Sequence, residues 1–290
     1  MAKFVPDVKT QRWIVIAPAR VDRPDEHKDK EKTGGCPFCE GNEIATPLEL
    51  YRIGGEGQWN KPGWQVRVVP NKFPITDTHE VIIHSPDHQK DIEDFELPQV
   101  IRILTVYRMR FQIHMENGQV IIFSNHGEQA GASLAHPHTQ LVVIPKQINL
   151  DALVKEPIMN VVEDNNFYIT YCPDFSQWPY EVWIAPKRDN TVFADITDEE
   201  IADLATILQR AIKKLNKKYD MPEIHKIHGN TAPFAYNFYI HHGKNWFIRI
   251  IPRLIHRAGF ELGTGLSVNI VDPTNAAREL KEIEIGLIKL

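Results

Sequence analysis

The chain has no run approaching the ~18 consecutive apolar residues that a membrane-spanning helix needs, so no transmembrane segment is expected. It also lacks an excess of positive charge. Its 33 lysines and arginines face 38 aspartates and glutamates, a formal net charge of −5. Duplex-binding proteins are usually basic, so nucleic acid is not expected as the main partner. A small anionic ligand remains compatible, because local Arg and Lys can bind phosphate within an acidic protein. Cysteine is scarce: there are three, Cys36 and Cys39 in a Cys-x-x-Cys pair and Cys172 alone. The stretch Met1 to Thr10 lacks a basic start followed by an apolar core and does not read as a secretory signal, so a cytoplasmic location is expected. In a reducing compartment the Cys pair suits a metal better than a disulfide. Cys172 reads as a buried small hydrophobe. With 42% hydrophobic and 24% charged residues, the composition is that of a soluble globular protein. Its 290 residues allow one large domain or two ordinary ones.

Hydrophobic periodicity organises the chain. Arg12 to Ala17 is strand-like, and the charged stretch Pro18 to Lys32 reads as loop. Residues 36–63 read as irregular and metal-stapled. Val66 to Val69 and Val81 to Ile83 read as strands. From Leu97 onward, Val100, Ile101, Leu104, Tyr107, Met109 and Phe111 recur at helical spacing. Val120 to Phe123 and Leu141 to Ile144 are short β-branched runs, as buried strands should be. The second half repeats the first. Glu181 to Ala185 is the counterpart of Glu80 to His84, and a helix follows in each case. The later helix begins with the capping signal Thr197-Asp198-Glu199-Glu200. Ala235 to Ile240 and Trp246 to Ile251 follow, the latter in the place of the His136–Ile144 strand. Two similar α+β units sharing one continuous sheet are expected.

The chemistry concentrates after Asn125. The small residues from Gly127 to Ala135 imply close backbone approach to a ligand. His136, His138 and Gln140 then alternate, which on a strand places three hydrogen-bonding groups on one face. A neutral imidazole suits attack on phosphorus, and as imidazolium it leaves readily in a second step. A hydrogen bond must fix its tautomer. Gln140 can hold a phosphoryl oxygen without competing for the proton. These residues make the His136-x-His138 run the candidate for nucleophilic chemistry.

The run Asn125 to Gln140 resembles the active-site strand of the galactose-1-phosphate uridylyltransferase family, a branch of the histidine triad superfamily. The resemblance extends to Cys36 to Asn42, Asn71 to Pro74, His84 to His88, Trp178 to Glu181 and Ala258 to Glu261. It implies an α+β fold of two histidine-triad-like halves with a shared, largely antiparallel sheet flanked by helices. Residues 1–165 would carry the zinc site and nucleophile, and 166–290 the sugar-binding residues. His138 matches the residue that becomes nucleotidylated and Gln140 the contact to the transferred phosphoryl group. Asn125 and Ser133 match phosphate-holding residues, Arg20 and Arg23 an N-terminal pair suited to a diphosphate, Asn71 a nucleotide contact and Glu261 a sugar-binding carboxylate.

Cys36, Cys39, His88 and His136 match structural zinc ligands, a closed Cys2His2 set with no place for water. His84 is the rival to His88. A second family metal site, of one Glu and three His, is not expected here, because Phe247, Arg249 and Asn230 stand at its histidine positions. His241 and His242 read as an exposed loop pair. The resemblance implies a nucleotidyltransferase with a covalent nucleotidyl-histidine intermediate, exchanging UMP between a UDP-hexose and a hexose 1-phosphate. Its partners would be a small nucleotide-sugar, a sugar phosphate and a second copy in a homodimer. Ser267 stands where the bacterial uridylyltransferases carry a sugar-binding glutamine, and residues 259–271 look more like related short proteins that include ADP-glucose phosphorylase. The alternatives are therefore an adenylyl-transferring phosphorylase acting on ADP-sugar or a dinucleoside polyphosphate, and a non-catalytic nucleotide-binding protein.

Overall fold

In the computed structural model, residues 2–7, 12–23, 35–150, 153–226 and 232–286 are described. Asn230 and residues 24–32 of the loop expected after Pro18 lie outside these. A separate antiparallel hairpin joins β1 (Lys3–Asp7) to β2 (Arg12–Ile16). The other strands are β3 (Tyr51–Ile53), β4 (Val66–Pro70), β5 (His79–Ile83), β6 (Gln119–His126), β7 (His138–Ile144), β8 (Val161–Asp164), β9 (Tyr168–Tyr171), β10 (Val182–Pro186), β11 (Tyr236–Ile240) and β12 (Ile248–Pro252). They form one ten-stranded sheet in the order β3-β4-β5-β7-β6-β11-β12-β10-β9-β8. Every adjacent pair is antiparallel. Read inward from either edge, the connectivity is the same: three strands, a helix, then two strands that exchange order. The halves meet where β6 pairs β11, with Asn125 opposite Asn237. This is the α+β sheet that the internal repeat predicts.

Helices α1 (Leu97–His114) and α2 (Asp198–Tyr219) join the third and fourth strands of each half and pack together on one face. Helix α1 starts with Pro98 in its first turn, where a missing N–H costs nothing. Helix α2 has the expected capping box: Thr197 Oγ1 accepts from Glu200 N–H (3.2 Å), and the Glu200 carboxylate accepts from Thr197 N–H (2.7 Å). The two helices are tied across their junction, where Arg108 and Gln112 of α1 donate to the carbonyls of Ile196 and Ala194 (2.7 Å each). Helices α3 (Pro222–His225), α4 (Gly259–Thr264) and α5 (Pro273–Glu282) follow among the described residues.

Strand alternation decides what each face does. Val68, Ile82, Ile122, Leu141 and Val143 belong to the large core under the helices. Val69, Val81 and Ile83 point the other way, into a smaller cluster with Phe38, Trp64 and Leu134. That second face carries the site.

Three local expectations are corrected. Pro18–Asp22 is a 3-10 helix and not loop, because Pro18 at its start has no N–H to satisfy. Residues 36–63 contain β3, too short at three residues to show alternation. His241 and His242 are half-buried rather than exposed, with His241 stacked on Phe247 at 4.6 Å between centroids.

Candidate functional site

In register, Ile83 of β5 lies opposite His138 of β7, and Val81 lies opposite Gln140. Both β7 side chains therefore emerge on the face away from the helices. They line a cleft of about 330 Å³ together with Phe38, Asn71, Phe73, Arg23 and Ser133. His136 precedes β7 rather than belonging to it. Its carbonyl accepts from His138 Nδ1–H at 2.8 Å. That bond fixes the tautomer and leaves Nε2 with its lone pair. Burial pushes the His138 pKa down to about 4, opposed by the backbone bond and assisted by the charges of His84 and Arg23. The ring is neutral at physiological pH, as a nucleophile requires, and Phe38 packs edge-on against it at 5.2 Å.

Two arginines approach from the N-terminal 3-10 helix. Arg23 Nε donates to Ser133 Oγ (2.8 Å), and Arg20 Nη1 donates to the Phe73 carbonyl (2.9 Å). Burial and the neighbouring Arg23 lower the Arg20 pKa, so the pair concentrates positive charge beside the cleft. Asn71 lines the cleft, but its amide is engaged within the protein: Oδ1 accepts from Phe73 N–H (2.8 Å), and Nδ2 faces Gln140 Oε1 (3.4 Å).

Two expected residues lie elsewhere in the chain. Asn125 Oδ1 accepts from Asn237 Nδ2 (2.8 Å) at the seam between the halves. Glu261 is exposed on α4, where its carboxylate accepts from Ala258 N–H (3.0 Å) and its pKa is lowered by its own backbone N–H and that of Ala258. Neither borders the cleft. Gly127 has φ +81°, and a Cβ there would sit 2.9 Å from that of Ala235. That close approach is to the other half of the sheet, while Ser133 and Leu134, later in the same stretch, line the cleft.

The four expected metal ligands do converge. Donor atoms of Cys36, Cys39, His88 and His136 all lie within 4.8 Å of one another. Cys39 Sγ is 3.3 Å from His88 Nδ1 and 3.6 Å from His136 Nδ1, near the roughly 3.3–3.8 Å edges of a tetrahedral Zn–S/N site. The surroundings fit a metal too. His136 Nε2–H donates to the Ser85 carbonyl (2.8 Å), which frees Nδ1 for ligation in the manner of an outer-shell partner. Phe38 N–H points at Cys36 Sγ (3.4 Å). His88 is presented by a turn in which Asp87 Oδ1 accepts from Gln89 N–H (2.9 Å) and Lys90 N–H (3.2 Å). The rival His84 is buried elsewhere, between Asp91 (3.1 Å) and the Tyr107 hydroxyl (2.8 Å).

At the corresponding place in the second half, Arg249 forms a buried two-point ion pair with Glu181, Nε to Oε1 at 2.7 Å and Nη2 to Oε2 at 2.9 Å. Trp183 Nε1–H adds a further bond to Glu181 (2.7 Å). Removing one partner of such a pair strands a buried charge. Arg249→Met is therefore expected to lower unfolding free energy by about 3–5 kcal/mol, read as a drop in urea midpoint at constant slope. An unchanged midpoint would show that the pair is dispensable.

Sequence reasoning missed His79. It is buried and lies within 3.0 Å of Gln140 Oε1. Extending the Val81–Ile83 alternation two residues back would have placed it on the site face.

Two family models match the chain. One is described as the DUF4931 N-terminal domain, over residues 19–147. The other is described as galactose-1-phosphate uridyl transferase, C-terminal domain, over residues 116–262, half of the chain. An ADP-glucose phosphorylase of Arabidopsis thaliana is 28% identical over 96% of this chain and 92% of its own. A galactose-1-phosphate uridylyltransferase of Thermotoga maritima is 26% identical over 96% of this chain and 97% of its own. Among solved structures, an ADP-glucose phosphorylase from Arabidopsis thaliana with bound ADP-glucose superposes with a TM-score of 0.73 at 25% identity, covering 98% of this chain and 100% of that one.

Proposed function

The chain belongs to the galactose-1-phosphate uridyl transferase family, and from that premise we propose that it moves a nucleoside monophosphate through a covalent intermediate on His138. One observation carries the reading: a neutral imidazole whose Nδ1–H is tied to the His136 carbonyl, with Gln140 beside it in a cleft bordered by Arg23 and Ser133. Nε2 attacks the α-phosphorus of the donor. The P–N bond forms as the P–O bond to the sugar phosphate breaks, and the Nδ1 proton stays on the ring, now an imidazolium. Arg20 and Arg23 bind the departing phosphate charge, Gln140 donates to a phosphoryl oxygen, and Ser133 helps to hold the phosphates. In the second half-reaction a phosphate oxygen of the acceptor attacks, the P–N bond breaks, and Nε2 recovers its lone pair.

In this reading Cys36, Cys39, His88 and His136 hold a structural zinc, which supplies rigidity and no open coordination site. A reducing compartment, the cytoplasm, keeps both thiols available for it. Residues 1–165 supply the nucleophile, and 166–290 supply sugar binding through Glu261. A homodimer reconciles that role with the distance of Glu261 from its own cleft. Its segment is rich in exposed apolar side chains, Phe260, Leu262 and Leu266, as is the β2 edge with Ile14 and Ile16, and a second copy would cover them.

For the donor and acceptor, we read UDP-hexose and hexose 1-phosphate, with Asn71 near the nucleoside. The near full-length similarity to an ADP-glucose phosphorylase favours a second reading, adenylyl transfer from an ADP-sugar to inorganic phosphate. Initial rates with UDP-glucose and ADP-glucose, each against galactose 1-phosphate and inorganic phosphate, separate the two. Turnover with none of the four combinations would contradict both.

If Glu261 accepts hydrogen bonds from sugar hydroxyls, Glu261→Gln should lower kcat/KM for the nucleotide-sugar by about 10–100-fold, with folding and metal content unchanged. Binding of the sugar-free nucleoside diphosphate should move far less. Equal losses for both ligands would remove Glu261 from the sugar site.

A further inference from the structure

A carboxamide has two ends of nearly equal size and opposite character. Only the NH2 end of Gln140 can donate to a phosphoryl oxygen as its charge grows; the carbonyl end would repel it. The orientation of Gln140 therefore matters as much as its presence, and nothing in glutamine itself sets it. Its surroundings do. Gln140 Oε1 lies 3.0 Å from His79 Nε2 and 3.4 Å from Asn71 Nδ2.

Both neighbours are themselves fixed by main chain. His79 Nδ1 lies 2.9 Å from the Ile75 amide nitrogen, whose N–H donates to it. The lone pair is therefore on Nδ1 and the proton on Nε2, directed at Gln140. Asn71 cannot turn over, because its Oδ1 accepts from Phe73 N–H at 2.8 Å. His79 Nε2 and Asn71 Nδ2 are 3.1 Å apart, which two donors tolerate because they share one acceptor. Two amides of the single turn between β4 and β5 thus set two side chains, and these set a third. Burial, with Arg20 and Arg23 adding to it, holds the His79 pKa down to about 4. The ring stays neutral and keeps Nδ1 as an acceptor.

We infer that His79 is a positioning residue for nucleotidyl transfer: its Nε2–H holds Gln140 by the carbonyl end and so turns the NH2 end toward the phosphoryl group at His138. The inference rests on the reading of Gln140 as a phosphoryl contact. A donor aimed in advance at developing charge needs no reorganisation as the reaction proceeds. A Gln140 that rotates freely would offer the wrong end part of the time and would leave a buried carbonyl unpaired.

The test is the single-turnover rate of nucleotidyl-enzyme formation from UDP-glucose and from ADP-glucose, measured in a double-mutant cycle. His79→Phe is expected to slow that rate by about 10–100-fold, while donor Kd changes less than about threefold. In a Gln140→Ala background the same substitution should cost almost nothing, because there is no carboxamide left to orient. His79→Gln, whose side-chain NH2 can reach the same oxygen, should recover part of the loss. Equal losses in both backgrounds would make His79 merely structural and overturn the inference. So would no loss in either. A second measurement does not depend on activity or on the variants folding. The side-chain 15N shifts of His79 in the wild-type protein should report the Nε2–H tautomer, and the Nδ1–H tautomer would overturn the inference. A wild type that forms no adduct with either donor would instead overturn the covalent reading, and this proposal with it; the tautomer reports on the hydrogen-bond geometry in either event.

Discussion

His138→Ala is expected to reduce turnover by at least about 10⁴-fold, the scale on which nucleophile removal usually acts, while the protein remains folded. The expectation follows from what the side chain does. Its Nδ1–H bond to the His136 carbonyl sets the tautomer, and its low pKa keeps Nε2 unprotonated. Among the described residues, the neighbouring imidazoles are committed elsewhere. His79 has its Nδ1 and Nε2 committed to Ile75 and Gln140, His84 is sealed between Asp91 and Tyr107, and His136 is turned toward Cys39. The fold should survive because His138 is only half-buried at the start of β7, where alanine leaves space that opens to the cleft. His138→Gly with added imidazole sharpens the test, since the vacated space can admit a free nucleophile. Activity of His138→Ala near the wild-type level would end the assignment.

The second large effect concerns the metal. Zinc analysis of protein purified without added metal is expected to give one equivalent per chain. Cys36→Ser is expected to lose that metal and at least about 3 kcal/mol of stability, since metal binding at such a site contributes directly to folding free energy. The loss should also reach catalysis. His136 connects the two sites: its ring points at Cys39, and its carbonyl holds His138. Freed from the metal, that carbonyl would wander and the His138 tautomer with it. A fall in kcat beyond what unfolding explains, measured well below the unfolding temperature, is the expected sign. Metal-free wild-type protein, or a Cys36→Ser variant of full stability, would contradict the account.

Much of this architecture was legible in the sequence, for identifiable reasons. β-branched runs such as Val120 to Phe123 and Leu141 to Ile144 leave little doubt about strands, and Thr197 with Glu200 marks the start of α2 three residues apart. The repeat was legible because a glutamate precedes the apolar run of the third strand in each half, Glu80 before Val81 and Glu181 before Val182. Spacing pointed only to the Cys36 and Cys39 pair; His88 and His136 were legible through the family resemblance, and the four donor groups do converge. Other features lacked a local signal. β3 is too short to show a period. Gly127 is small for the sake of Ala235, a neighbour more than one hundred residues away. His79 sits two residues before the apolar part of its strand, and its function depends on a backbone N–H, that of Ile75, which no side-chain pattern displays. Arg249 read only as a missing histidine. Its partner Glu181 becomes apparent once β10 and β12 are paired.

The most direct test of the central claim is the intact mass of the protein mixed with nucleotide-sugar and no acceptor, followed by peptide mapping under neutral or alkaline conditions that preserve a phosphoramidate. The account predicts an added mass of one nucleoside monophosphate, located on His138, discharged on adding the acceptor and absent from His138→Ala. The identity of the added nucleotide also tells uridylyl from adenylyl transfer. A catalytically active enzyme that carries no such mass, or carries it on another residue, would contradict the account.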